Sequence, residues 1–441
     1  MDIKIAAFLR FAVRISFALT LCVPALAQTP LAVPSGANAV HAAEFGARGD
    51  GISDDTKQLQ QALDSGRVVY LAPGRTYAVT SRLEIPSEGG MLGDGTATIF
   101  ARASGFTNSD PTIKGRYGST SAVISASGMT RPPFTPHKDI VIRGIKLRFE
   151  PTEGRHVDAI VARNVHALTI EGVEISGFPA GTGVRVATIS GRSSISNNRI
   201  HDFRSNTDFS KSYPGAGPQI TAIEVDNDRV NGVASKGLVI AGNEIANITV
   251  GPTFLSAHGY QTDGINIAHW DSSEFRIEGN RIRYTGEGID VFGSAGIITG
   301  NVISDSYLFG IKLVHGASGN QITRNEITRS GLAGIALAGS ASATQGTEKN
   351  VVSNNVVRDI DPAGVWAANE TSCIQLSDNR GTVHKVRNNV FSGNVLDPGR
   401  NGKWSVNVAN SSGGNNSLLE NVFVAKGSRG MISKGDTPTA R

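Results

Sequence analysis

The sequence predicts an all-β chain: a single-stranded, right-handed parallel β-helix with a capping helix at its N-terminal end. Three observations predict it. Glycine supplies 52 of 441 residues, about 12% against a usual ~7%, and follows no three-residue period. Hydrophobic residues make up 39%, too many for a disordered chain, and fall in short pieces that alternate as strands do. A self-similar pattern recurs ten times at intervals of 21 to 45 residues, the range of solenoid repeats.

In chain order, residues 1–27 read as a secretory leader. Lys4, Arg10 and Arg14 form a basic start, Ile15 to Val23 an apolar stretch too short to span a bilayer, and Ala25-Leu26-Ala27 a cleavage site. Export to the periplasm or beyond is therefore expected, with no integral membrane segment left after cleavage. Cys22 leaves with the leader, so Cys373 is the mature chain's sole cysteine and no intrachain disulfide can form. Residues 28–42 read as a linker and 43–441 as one β-helix domain of about ten rungs. A helix at about 54–64 buries Leu59, Ala62 and Leu63, with Ser53 or Asp54 able to cap it. It would cover the open end of the solenoid and block edge-to-edge strand addition.

The repeat is apolar, two residues, Asn or apolar, one residue, apolar. It runs from Ile142–Ile145–Leu147 through Ile195–Asn198–Ile200, Ile240–Asn243–Ile245, Ile277–Asn280–Ile282, Ile298–Asn301–Ile303, Ile322–Asn325–Ile327 and Val352–Asn355–Val357 to Val386–Asn389–Phe391 and Leu418–Asn421–Phe423. An Asn at a sharp bend can bond the same Asn one rung away, giving an inward ladder. A second strand opening on Gly or Ala follows most copies, among them Gly183-Val-Arg-Val, Gly264-Ile-Asn-Ile, Gly288-Ile-Asp-Val, Gly310-Ile-Lys-Leu and Gly364-Val-Trp-Ala. Longer intervals imply loops at about 204–219, 249–261, 341–350 and 370–383.

Aligning the second strands gives columns about 4.8 Å apart from rung to rung. Two residues after the Gly, facing outward, stand Arg185, Glu224, Asn266, Asp290, Lys312, Ala336 and Trp366; one residue before it stand Thr182, Thr221, Asp263, Glu287, Phe309, Ala333 and Ala363. Five residues after it come His269 and His315. Asp263 and Glu287, on consecutive rungs, are the candidate acid and nucleophile or base for glycosidic cleavage, with Asp290 crowding one pKa upward. Strict strand alternation would turn Glu287 inward if Asp290 faces out, so Gly288 must break it. Lys312 with His315, His269 or Tyr260 supports a second chemistry, C5-proton removal from a uronate. Arg185, Glu224, Asn266 and His269 are candidate substrate contacts. Tyr260, Phe309, Trp366 and Tyr307 are candidate sugar-stacking rings.

Residues 44–56, Glu-Phe-Gly-Ala-Arg-Gly-Asp-Gly-Ile-Ser-Asp-Asp-Thr, and Val68-Val-Tyr-Leu-Ala-Pro-Gly-Arg-Thr-Tyr77 resemble the opening segment of the pectate-lyase-like β-helix superfamily. Asp50, Asp54 and Asp55 in that segment read as turn and helix-cap carboxylates. Thr262-Asp263-Gly264-Ile265 resembles the polygalacturonase Asn-Thr-Asp-Gly signature with Gln261 in place of Asn, and Gly286-Glu287 falls where that family has Gly-Asp-Asp. The resemblance implies catalytic roles for Asp263 and Glu287. Phe309 stands where the family has a histidine and Gly334-Ile-Ala-Leu lacks its Arg-Ile-Lys, so the family's inverting chemistry does not simply transfer.

The expected function is an exported carbohydrate-active enzyme cleaving a polysaccharide or oligosaccharide. The alternatives are a lyase or C5-epimerase built on Lys312, and a non-catalytic glycan-binding β-helix. The 42 basic and 38 acidic residues give no electrostatic case for nucleic acid. No cofactor or metal is expected: Asp226-Asn-Asp228 offers oxygen ligands for calcium but no complete loop. A monomer and a homotrimer both fit.

Overall fold

The computed structural model describes residues 39–106, 121–210, 219–226, 229–339, 345–377, 385–409, 414–433 and 439–440. The leader expected at 1–27 lies outside them. Short parallel strands stack into a three-faced β-helix. One face carries, among others, Val157–Glu171, Thr182–Ser190, Ile220–Val225, Thr262–Ile267, Glu287–Val291, Phe309–Leu313, Ala333–Ala338, Ser372–Ser377 and Trp404–Ala409. The second carries strands such as Arg276–Glu278 and Ile297–Thr299, and the long Val157–Glu171 strand pairs with strands of both faces. The third is a separate 13-stranded sheet containing Arg281–Arg283 and Val302–Ser304.

The core is a stack of like on like. Ile265, Ile289, Ile311, Ile335 and Ile374 pair in register up the first face, each fully buried. At about 1.5–3 kcal/mol for each such side chain, these rows carry much of the stability that disulfides would otherwise supply.

Between the second and third faces runs the expected asparagine ladder. Asn243 Nδ2 donates to Asn280 Oδ1, Asn280 to Asn301 and Asn301 to Asn325, each at 2.9 Å. One copy is out of step. The ladder passes from Asn355 to Asn394 and Asn421, while Asn389 belongs to a second ladder with Asn320, Asn350 and Asn416 at the preceding corner. The repeat unit there is Phe391–Asn394–Leu396, five residues later than the spacing suggests, because both corners of this rung carry Asn.

The cap helix spans Thr56–Asp64 and buries Leu59, Ala62 and Leu63 completely. Asp55 holds the N-cap position, and its carboxylate turns back to accept from the backbone of Arg48 and Gly49. Asp54 accepts from Thr56 N–H at 3.0 Å. Asp50 accepts from Ile52 and Ser53, and these bonds hold its carboxyl down at about 2. Two boundaries shift. Ala39–His41, inside the expected linker, is already a strand pairing with Val68–Tyr70. Gly364-Val-Trp-Ala is not a strand; that rung's place on the first face is taken by Ser372–Ser377, inside the expected loop at 370–383. The loop expected at 249–261 contains a short helix, Pro252–His258, anchored by buried Phe254. No helix among the described residues is long and apolar enough to cross a membrane.

Candidate functional site

The first face carries two columns of polar residues because of its glycines. A Cβ on Gly288 would lie 2.6 Å from the Ile303 side chain and 2.4 Å from Gly310 O, so Gly288 occupies an inward position. Ile289 is inward as well, which leaves Glu287 and Asp290 both outward. Gly264 repeats this against Ile282, and Gly310 against Ile327. The register skips those glycines: Asp263 pairs with Glu287 and Ile265 with Ile289.

Five expected residues converge here. Lys312 Nζ lies 2.5 Å from Glu287 Oε2 and 3.1 Å from Asp290 Oδ2. Asn266 Nδ2 donates to Asp263 Oδ2 at 2.9 Å. Asp263, Glu287 and Asp290 each place an oxygen within 4.8 Å of the others. The carboxylates are covered, with Asp263 2%, Asp290 4% and Glu287 8% exposed. Burial drives the Asp263 carboxyl well above the usual range, and the negative charges of Glu287 and Asp290 add to it. Burial likewise lifts Glu287 to about 7, against the pull of Lys312 and with a further push from Asp290. Burial alone would lower Lys312, but Asp290, Glu287 and Asp263 outweigh it and raise its pKa. The three carboxylates have the donor set for a divalent cation, yet the Lys312 ammonium already sits where such an ion would bridge Glu287 and Asp290.

Arg185 and Glu224 form a different cluster. Arg185 Nε lies 2.9 Å from Asp158 Oδ2, and Nη1 lies 3.0 Å from Asp226 Oδ2 and 3.2 Å from Glu224 Oε2. Arg185 is 2% and Glu224 0% exposed, so neither is the outward substrate contact the column suggested. Burial opposes the Arg185 charge, but the three carboxylates raise its pKa well above the ordinary value. Asp158 directly precedes Ala159, the counterpart of Gly183 one rung on, so it belongs to the same column as Thr182, and extending the alignment one rung toward the N-terminus finds it. Asp226, expected as an oxygen ligand, instead pairs with Arg185, and Asp228 is outside the described residues.

Around the carboxylates stand aromatic rings. Tyr260 stacks on Tyr307 with centroids 3.4 Å apart, and Trp366 meets Tyr307 edge-on at 5.2 Å, its Nε1 donating to Tyr307 O. Trp366 thus reaches this rim from a turn rather than from the outward column, where Gln375 stands. Phe309 pairs in register with Glu287, its ring 5.9 Å from Lys312 Nζ. Burial, with a hydrogen bond to Tyr307, raises the Tyr260 hydroxyl pKa. His269 and His315 lie at the far end of their strands. His269 is buried with Nδ1 accepting from Asp271 N–H, and His315 packs on Phe292 at 4.4 Å.

A family model described as rhamnogalacturonase A/epimerase, pectate lyase-like, matches residues 39–290, more than half of the chain. The chain belongs to this family. A second model, right handed beta helix region, matches 230–423 and agrees with the handedness expected from the sequence. Solved structures similar to this chain include the A-module of the mannuronan C-5 epimerase AlgE4 from Azotobacter vinelandii, at 17% identity and TM-score 0.60, covering 91% of this chain and 99% of that one. The Dettilon tailspike protein matches at 14% identity and TM-score 0.54, over 90% and 68% of the two chains. PfbA, a surface adhesin of Streptococcus pneumoniae, matches at 16% identity and TM-score 0.51, over 92% and 96%. No curated protein matches the sequence. These structural likenesses establish the fold; the family and the site's geometry bear on function.

Proposed function

We propose that this chain is an exported carbohydrate-active enzyme that breaks a glycosidic bond with Asp263 and Glu287. The observation that carries the proposal is a pair of carboxyls on consecutive rungs, both raised by burial, beside a third carboxylate and a lysine that stays charged. Asp263, the more strongly raised, supplies the proton. Its neighbour Asn266 has a buried Oδ1 without a hydrogen-bond partner; with its amide turned over, that oxygen would accept the Asp263 proton. Glu287, poised near neutrality and the most exposed of the three carboxylates, attacks.

One oxygen of Asp263 lies within 4.8 Å of one of Glu287, a closeness that favours the ~5–5.5 Å separation of retaining enzymes over the ~6.5–9.5 Å of inverting ones. Glu287 would bond to the anomeric carbon as the Asp263 proton passes to the leaving oxygen. Asp263, now a carboxylate, would then take a proton from water or a sugar hydroxyl, whose oxygen displaces Glu287. Lys312 keeps Asp290 in place and holds the Glu287 pKa near 7 instead of higher.

The lyase or epimerase reading needs Lys312 free to neutralise a uronate carboxylate, and Lys312 is already engaged twice. The non-catalytic reading leaves unexplained why three carboxylates are buried together at a cost in stability.

The test is a screen of residues 28–441 against neutral and acidic polysaccharides for new reducing ends, beside Asp263→Asn and Glu287→Gln. Cleavage lost by about 10³-fold or more in both variants, with a parent activity that rises through pH 7 as the pair titrates, supports the proposal. Unsaturated products that survive in both variants and vanish in Lys312→Ala would refute it in favour of the lyase.

A further inference from the structure

We propose a second, non-catalytic oligosaccharide-binding groove at the corner between the first and second faces, N-terminal to the carboxylate cluster. A cleft of about 550 Å³ is lined there by Phe134, Pro136, Lys138, His166, Ser190 and Asn231, among others. That volume falls within the ~300–1,000 Å³ of ordinary ligand sites.

Its two walls are held by buried polar side chains at equivalent places on adjacent rungs. Asn164 Nδ2 donates to Met129 O at 2.9 Å and Phe134 O at 3.1 Å, pinning one loop. Thr188 Oγ1 donates to Val233 O and accepts from Val230 N–H, both at 2.9 Å, pinning the other. Asn164 and Thr188 are 7% and 6% exposed, and both have left-handed backbones, φ 53° and 54°. A β-branched threonine rarely adopts that conformation, and such strain persists where the surroundings enforce it. The floor is equally fixed. His166 is exposed, yet its ring lies against Gly191, where a Cβ would come within 2.7 Å, and its Nδ1 is 3.2 Å from Ser190 Oγ. An exposed imidazole held in this way leaves Nε2 for a ligand.

The lining chemistry selects a sugar. Phe134, Pro136 and Val233 offer apolar surface to a ring face. Lys138, His166, Ser190, Asn231 and Asp139 offer donors and acceptors in both senses, as hydroxyl groups require. A phosphate or a metal ion would call for one sign. An added peptide strand would need a free sheet edge, and the strands under the groove pair on both sides. Val186 and Ile267 pair in register through Val225, so Thr188 and His269, each two residues further on, stand two rungs or about 10 Å apart along the axis. A glycan lying along this corner can therefore run from the groove toward His269, on the rung that also carries Asp263 and Asn266.

The inference rests on the reading that the chain acts on glycans, and its test does not depend on cleavage. Calorimetric titrations of the full mature chain carrying Glu287→Gln would use neutral, galacturonate and mannuronate oligomers of increasing length. Long oligomers are expected to bind roughly five-fold or more weakly when His166→Ala or Lys138→Ala is added. A filling change, Ser190→Trp, should abolish groove binding with the Tm retained. Equal affinity in all three groove variants, or no binding by any oligomer, overturns the groove. A Glu287→Gln enzyme that still cleaves while the groove variants lose binding refutes the catalytic assignment and leaves the groove standing.

Discussion

Replacing Glu287 by glutamine should separate stability from activity with opposite signs. Glu287 titrates at about 7 in the fold against an ordinary 4.5, a rise of about 2.5 units, or about 3 kcal/mol at ~1.4 kcal/mol per unit. The group is 8% exposed, so solvent screening does not erode this. Between pH 4.5 and 7 the folded chain binds this proton more tightly than the unfolded one does. Stability is therefore fully present below 4.5 and lost as pH rises through 7. Glutamine keeps the shape of the protonated acid and cannot ionise. Relative to the parent, Glu287→Gln should gain about 3 kcal/mol between pH 4 and pH 8. Relief of the repulsion on Asp263 acts in the same direction. With an unfolding entropy of ~2.1 cal/mol/K per residue over 441 residues, ~0.9 kcal/mol/K, the Tm difference should move by about 3–4 °C. Scanning calorimetry of both proteins at pH 4 and pH 8 measures it. A Tm difference that stays constant, or moves against the variant as pH rises, would show that ionised Glu287 stabilises the fold and would sink the reasoning.

Lys312→Met strips the cation from the buried acid cluster and should cost about 3–5 kcal/mol at pH 8, with much of it recovered at pH 5 as Glu287 protonates; urea unfolding at the two pH values reads this. It should also move the rise of any activity above pH 7, since Glu287 loses its opposing charge. Asn301→Ala removes two bonds donated by Nδ2, to Asn325 Oδ1 and Ile277 O, and two accepted from Asn280. A loss of about 3–5 kcal/mol is expected by thermal unfolding, against about 1 kcal/mol for Asn421→Ala at the ladder's half-exposed end. Gly288→Ala would place a methyl 2.4 Å from Gly310 O, and should reduce activity far more than the equally conservative Ala336→Gly two rungs away. Equal kcat/KM in those two variants would show that the Gly288 position does not aim Glu287.

Most of the fold was legible because a solenoid writes one local rule many times. Asn280, Asn301 and Asn325 could be aligned by eye, and Leu59, Ala62 and Leu63 mark the cap helix by spacing alone. The errors arose where one rung carries the signal twice or not at all. Asn389 and Asn394 both sit at corners, and the sequence offers no means of ranking them. Gly364 opens a turn that resembles a strand start, although Ser372–Ser377 is the segment that pairs. Asp263, Glu287, Asp290 and Lys312 were found because they share columns. Burial was not legible: the column containing Arg185 and Glu224 faces away from the core, yet it is covered by further chain.

The two charged clusters are variants of one construction. In a strictly alternating strand, residues three apart lie on opposite faces. An inward glycine followed by an inward isoleucine brings the flanking residues to the same outward side, so each rung offers two positions instead of one. Thr182 and Arg185, Asp263 and Asn266, and Glu287 and Asp290 fill such pairs. With rungs about 4.8 Å apart, three neighbouring pairs suffice to surround one cation with three carboxylates. At Arg185 the result is sealed, and every bond it shows is that of a structural ion cluster. At Lys312 the same arrangement remains partly open, rimmed by Tyr260, Tyr307 and Trp366, and burial there raises two carboxyls, Glu287 to about 7 and Asp263 well above the usual carboxylate range. Structural charge pairing does not require that residue of unneutralised acid, and proton transfer does. The difference between the clusters supports the proposal that the 262–313 rungs carry the chemistry while the 182–226 rungs serve the structure.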